Sequence, residues 1–206
     1  FTGVVTSFFL YSLNFAYAES QNVRRLSAEI VVMKADLKLL INSDLSQIYK
    51  RGLKTRIKGG AAILPLLIRK SWNGTPPLPS NISKQLIRIQ SALDLKNYIF
   101  VENALNELLV KYPFNTKGLL PPDNRSLAIK GSMKIHKSFC AGCHDEPDTS
   151  ISRPAWNLFK LSKSNSPKEL AARLVIGVRG DSLTGLENPL RDSEISALIA
   201  YYTKPF

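Results

Sequence analysis

The sequence predicts an all-α protein. Apolar residues recur at alternating spacings of four and three, capping residues stand before those stripes, and Gly or Pro stands after them. The clearest stripe is Leu26, Ile30, Met33, Leu37 and Leu40, which share one face of a helix expected over residues 22 to 42. Several such stripes lie upstream of residue 113, and an antiparallel helical bundle buries them most economically.

The other elements follow in chain order. Asn42-Ser43-Asp44 offers a break and an N-cap for a second segment carrying Leu45, Ile48, Leu53 and Ile57, which Gly59-Gly60 is expected to end. Residues 61 to 79 mix an apolar run around Pro65 with Trp72-Asn73-Gly74-Thr75-Pro76-Pro77, which reads as a short helix followed by a loop. A third stripe is Ile82, Leu86, Ile89 and Leu93, capped by Ser80 or Asn81; a fourth is Val101, Leu105 and Leu108, running up to Pro113. This bundle has no His, and its one Met, Met33, continues the leucine stripe and reads as core. Glu29, Glu102 and Glu107 lack the Glu-x-x-His pairing of di-iron bundles. The bundle is therefore assigned no chemistry of its own.

Residues 1 to 18 are largely apolar and close on Ala16-Tyr17-Ala18 before Glu19, a small-x-small pattern expected of a secretory signal whose start is truncated. Asn14 interrupts the run, which falls short of the roughly 20 apolar residues of a spanning helix. The expected location is the periplasm or another exported compartment, soluble or peripheral after cleavage. A Pro- and Asn-rich stretch at 113 to 125 reads as a linker, placing a basic helical domain at 19 to 112 and a second domain at 126 to 206.

Of the protein's net charge of +12, most lies upstream. Residues 19 to 125 hold 17 Lys or Arg against 8 Asp or Glu, and no acidic residue falls between Asp44 and Asp94. A field of that sign steers acidic partners, here an acidic redox protein or an anionic membrane surface. Nucleic acid is not expected, because no aromatic-interleaved binding motif accompanies the charge.

Cys140-Ala141-Gly142-Cys143-His144 carries the chemistry. A redox Cys-x-x-Cys normally adjoins a βαβ pattern, whereas these flanks are helical. Structural zinc needs four ligands, and the whole chain has two Cys and two His, with His136 badly placed on the same short segment. Covalent attachment of one haem c remains: each thiol adds to a vinyl group, and His144 reaches the iron from the proximal side.

With that motif, residues 126 to 206 resemble the class I cytochromes c along their whole length. Ser126 to Phe139 matches the family's first helix, with Gly131 or Ser132 as the small residue where the terminal helices cross. Arg153-Pro154 is similar to the proline loop, which implies that the Pro154 carbonyl orients the proximal imidazole. Ser166-Pro167 opens a further helix, and Leu190 to Tyr202 resembles the closing one.

The family's distal ligand is a Met in the loop after Gly-x-x-Gly, and Leu183 occupies its place. A leucine has no lone pair. The iron is then five-coordinate with Leu183 walling the pocket, or it takes His136 or Met133, a lysine, a backbone group, water or a partner's residue. His136 is expected to be a partly exposed surface residue. Two functions follow from the resemblance: an electron-transfer protein or subunit serving an oxidoreductase, expected to be no enzyme itself; and, as the alternative, a five-coordinate haem protein that binds a small gas ligand or acts as a weak peroxidase.

Overall fold

The computed structural model describes residues 4–42, 44–71, 82–121, 129–151, 154–177 and 188–203, and among them every regular element is a helix. They are α1 (Val4–Asn42), α2 (Gln47–Ser71), α3 (Ile82–Asp94), α4 (Tyr98–Lys111), α5 (Ile129–Phe139), α6 (Ala141–His144), α7 (Leu158–Ser164), α8 (Pro167–Gly177) and α9 (Asp192–Tyr202). The backbone is helical through residues 18 and 19, and no described helix is long and apolar enough to cross a membrane.

Two apolar cores form, and α1 belongs to both. Leu26, Ile30, Met33, Leu37 and Leu40 face the first, with Leu53, Ile57 and Leu64 of α2, Ile89 and Leu93 of α3, and Leu105 and Leu108 of α4. Ala28 and Val32 face the second, with Leu161, Leu170, Leu174, Leu198 and Tyr202. At 100° per residue these two sets lie on opposite sides of α1. Phe114 and Leu119 belong to the second core too, so the described part of the expected linker is anchored rather than free. Its turn uses Gly118 at φ 81°, a left-handed conformation that glycine adopts without strain.

Ion pairs fix α1 between the two cores. Glu29 pairs with Arg56 of α2, Arg24 with Asp192 of α9, and Asp36 with Arg173 of α8 at 2.8 Å. Glu29 and Asp36 are buried. Burial works against the Arg173 charge, but Asp36 and Glu169 outweigh it and hold the guanidinium above its ordinary range. Losing one member of a buried pair strands the other and costs about 3–5 kcal/mol.

Helix α2 does not stop at Gly59-Gly60; it runs on through Pro65 to Ser71. Pro65 lacks an N–H, at a cost of about 3 kcal/mol in a helix interior, and burial of Leu64, Leu67 and Ile68 offsets it at about 1.5–3 kcal/mol each. Gly60 is needed for packing. A Cβ there would stand 2.7 Å from Glu29 Oε1 and 2.8 Å from the Met33 Cγ and Sδ, whereas a Cβ on Gly59 would meet nothing within 4 Å. The third and fourth stripes lie on helices close to their expected bounds, whereas α1, expected over residues 22 to 42, begins at Val4, and α7 is an element the periodicity did not suggest.

The adjacent glycines should therefore respond in opposite directions. Gly59→Ala gains helix propensity and should raise stability by about 0.5–1 kcal/mol, while Gly60→Ala should lower it by about 1–2 kcal/mol because the α1 side chains it meets are pinned. Urea unfolding midpoints of the two variants check the sign.

Candidate functional site

Cys140 ends α5 and begins the next turn. Its N–H donates to the His136 carbonyl at 2.8 Å, and its own carbonyl accepts from the N–H groups of Cys143 at 3.2 Å and His144 at 3.0 Å. The motif thus closes as one helical turn, and offsets of three and four place Cys140, Cys143 and His144 on one side of it. Both cysteines are free thiols; Cys140 is buried and Cys143 exposed.

All three side chains line one cavity of about 910 Å³. This is near the upper end of the roughly 300–1,000 Å³ typical of ligand sites. Leu158 and Leu161 of α7 and Leu170 and Leu174 of α8 supply much of its apolar wall. Val32, Asp36, Leu53 and Arg56 extend it from α1 and α2. Sequence reasoning missed these last four, because their presence depends on how α1 and α2 pack rather than on any local pattern.

His144 Nδ1 lies 2.5 Å from the Trp156 carbonyl oxygen. A carbonyl only accepts, so Nδ1 carries the hydrogen and Nε2 keeps its lone pair for a ligand. The orienting carbonyl is therefore that of Trp156, two residues beyond the expected Pro154. Pro154 lines the same cavity instead. The Trp156 ring in turn packs edge to face against Tyr49 of α2, with centroids 5.4 Å apart, so α2 abuts the residue that holds the imidazole.

His136 is a correction. Expected at the surface, it is 4% exposed, with Nδ1 2.9 Å from the Tyr202 hydroxyl and Nε2 3.1 Å from Asp145 Oδ1. Phe159 and Tyr201 pack against its ring, and both nitrogens are satisfied, which is what makes an imidazole tolerable there. Met133 is 44% exposed on α5. Of the two small residues proposed for the helix crossing, Ser132 is buried and Gly131 exposed, and α5 packs against α9. Leu183 lies outside the described residues.

Around the basic face, pairing separates the cations into two groups. Lys54 and Lys58 both grip Asp94 at 2.8 Å, hydrogen bonds that hold its carboxyl down at about 2, and Arg56 is committed to Glu29. Arg51, Arg69, Lys70 and Lys84 are exposed. Comparison of the chain with models of protein families, with curated proteins and with solved structures finds no match in any of the three.

Proposed function

We propose that this chain is a c-type cytochrome of the class I type, in which an antiparallel bundle precedes a domain holding one covalent haem c, and that it transfers electrons in the periplasm or another exported compartment. The observation that carries this reading is the convergence of Cys140, Cys143 and His144 on one cavity, with the His144 tautomer fixed by the Trp156 carbonyl. The donor set fits: two free thiols for thioether bonds, one imidazole nitrogen for iron, and apolar walls for the macrocycle.

Bound there, haem supplies a one-electron iron couple. The chain's part is to hold and insulate it. Cys140 and Cys143 would anchor it, and His144 Nε2 would bind the metal. Leu158, Leu161, Leu170 and Leu174 exclude water, and an apolar shell of that kind controls dielectric and hence potential. At the cavity's edge Phe139, Cys143 and Ile151 are exposed, forming an apolar rim where a partner can approach. The exposed cations Arg51, Arg69, Lys70 and Lys84 would steer an acidic redox protein toward it, or hold the chain against an anionic membrane.

A second reading, a five-coordinate site open to a small gas ligand, is favoured by one specific tally. The chain has two His and two Met. His144 faces the cavity, both His136 nitrogens are engaged, Met33 is buried in the first core, and Met133 is exposed on α5. Of the four, His144 alone lines the cavity, so it is the one His or Met that would hold iron there.

Mass spectrometry of the exported protein should show the chain heavier by one haem after acid extraction, and Cys140→Ala with Cys143→Ala should lose it. Retention of haem by that double variant would refute covalent attachment. Association with an acidic partner should slow as salt rises, and converting Arg51, Arg69, Lys70 and Lys84 to Glu should slow it roughly tenfold at low salt. These four test steering without breaking the Lys54, Lys58 and Arg56 ion pairs; an unchanged rate constant in stopped flow would dismiss the steering. The ferrous protein should be high-spin and bind CO, and Leu183→Met should shift it toward a low-spin, CO-resistant form of higher potential. A parent spectrum already low-spin and indifferent to CO overturns the five-coordinate reading.

A further inference from the structure

The turn that joins α3 to α4 is built rigidly and at a cost. The Lys96 N–H donates to the Leu93 carbonyl at 3.3 Å and the Asn97 N–H to the Ala92 carbonyl at 2.8 Å, the two bonds that close a Schellman motif at the end of α3. Asn97 then caps α4, its side chain accepting from the Phe100 N–H. Such a motif needs one left-handed residue, which is usually glycine. Here it is Lys96 at φ 57°, the one non-glycine residue of positive φ among those described.

Two aliphatic side chains flank that lysine. Leu95 is 81% exposed and Ile99 77%, which with Val110 makes them the most exposed large apolar residues among those described. Neither belongs to a core. The charge around them is cationic: Lys54 and Lys58 of α2 both bond Asp94, the residue before Leu95, and Arg88 of α3 lies 5.1 Å from the ring centroid of Phe100, the residue after Ile99. Asp94 is outnumbered by its own partners, and Glu102, one turn beyond Ile99, shares a groove with Lys34 and Lys38 of α1. Backbone strain, unburied apolar surface and crowded like charge thus meet at one turn, where the packing of the two helices asks for none of them.

The character of the turn selects its occupant. A second copy of the chain would set cations against cations. A protein interface takes about 800 Å² from each partner, more than two protruding side chains on a helix turn supply. A bilayer surface accepts a small apolar wedge and surrounds it with anionic phosphate.

We propose that the α3–α4 turn docks on an anionic lipid bilayer, with Leu95 and Ile99 entering the boundary between headgroups and acyl chains and Lys96 meeting the lipid phosphates. Lys54, Lys58 and Arg88 add attraction from behind. The docking does not depend on haem, but it bears on the cavity: Lys54, which grips Asp94, shares a turn of α2 with Leu53 and Arg56 of the cavity wall. A chain docked by this turn holds that wall toward the membrane.

The test is cosedimentation of the exported chain with vesicles of phosphatidylcholine alone or of a roughly two-to-one mixture with phosphatidylglycerol. Binding should need the anionic lipid and weaken as salt rises. Leu95→Ser with Ile99→Ser should lower the partition coefficient about tenfold or more and leave the urea midpoint in place, because neither side chain is in a core. Val110→Ser, equally exposed but roughly 16 Å further along α4, should leave partition unchanged. Lys96→Gly should raise the urea midpoint by relieving the left-handed strain, yet weaken vesicle binding about fivefold. A double variant that binds vesicles like the parent overturns the proposal. So does a Val110→Ser as damaging as the double variant, or a parent that stays in the supernatant. In that last case a dimer in analytical ultracentrifugation that the double variant dissolves gives the turn to a second copy, and slower association of the double variant with the acidic partner gives it to that protein. Vesicle binding by a chain that carries no haem leaves the docking standing while the haem reading fails.

Discussion

Burial of α1 on two opposite faces is the constraint on which the other features depend. Most helices of small proteins bury one stripe and leave the other side to water. Here one face of α1 completes the first core and the other supplies Ala28 and Val32 to the second. Its buried carboxylates cannot be hydrated, so each takes an arginine: Glu29 from α2 and Asp36 from α8. These pairs fix the helix's rotation as well as its position, because turning α1 would break them together with both apolar contacts.

The site inherits that rigidity. The cavity beside Cys140 draws its walls from α1, α2, α7 and α8, so its shape follows from the agreement of both cores about where α1 lies. Tyr49 against Trp156 adds a direct brace from α2 to the residue whose carbonyl holds the His144 ring. An imidazole held at Nδ1 has one orientation and one tautomer to offer, and its supporting partner normally matters to a metal site nearly as much as the ligand does. The N-terminal helices are in this sense part of the site's support.

Much of the helical content was legible because it rests on local signals. The stripe on α1, the Ser166 hydroxyl that accepts from the Glu169 N–H, and the Pro167 that starts α8 all appear where the sequence places them. Asn157, whose side chain accepts from the Lys160 N–H, is the local signal for α7, a cap rather than a stripe. The misses share a different cause. Gly59-Gly60 resembles a helix stop, yet at Gly60 the missing side chain serves contact with Glu29 and Met33, which no local pattern reveals. His136 reads as a surface residue until Tyr202, 66 positions later, satisfies one nitrogen. The cysteines and His144 were legible from spacing; the carbonyl that orients His144 was not, since any of several backbone oxygens in the following loop could have reached it.

The pairing of Asp36 with Arg173 spans 137 positions of sequence. During synthesis α1 emerges before α8, the helix that covers its second face and follows well over a hundred residues later. At about 5–20 residues per second that interval is several seconds or more. Throughout it, Ala28, Val32 and the Asp36 carboxylate face solvent or whatever holds the nascent chain, while the first core can already close on the opposite side. Such a chain matures in two stages, and the apolar strip left open between them is a natural surface for a chaperone and for aggregation alike.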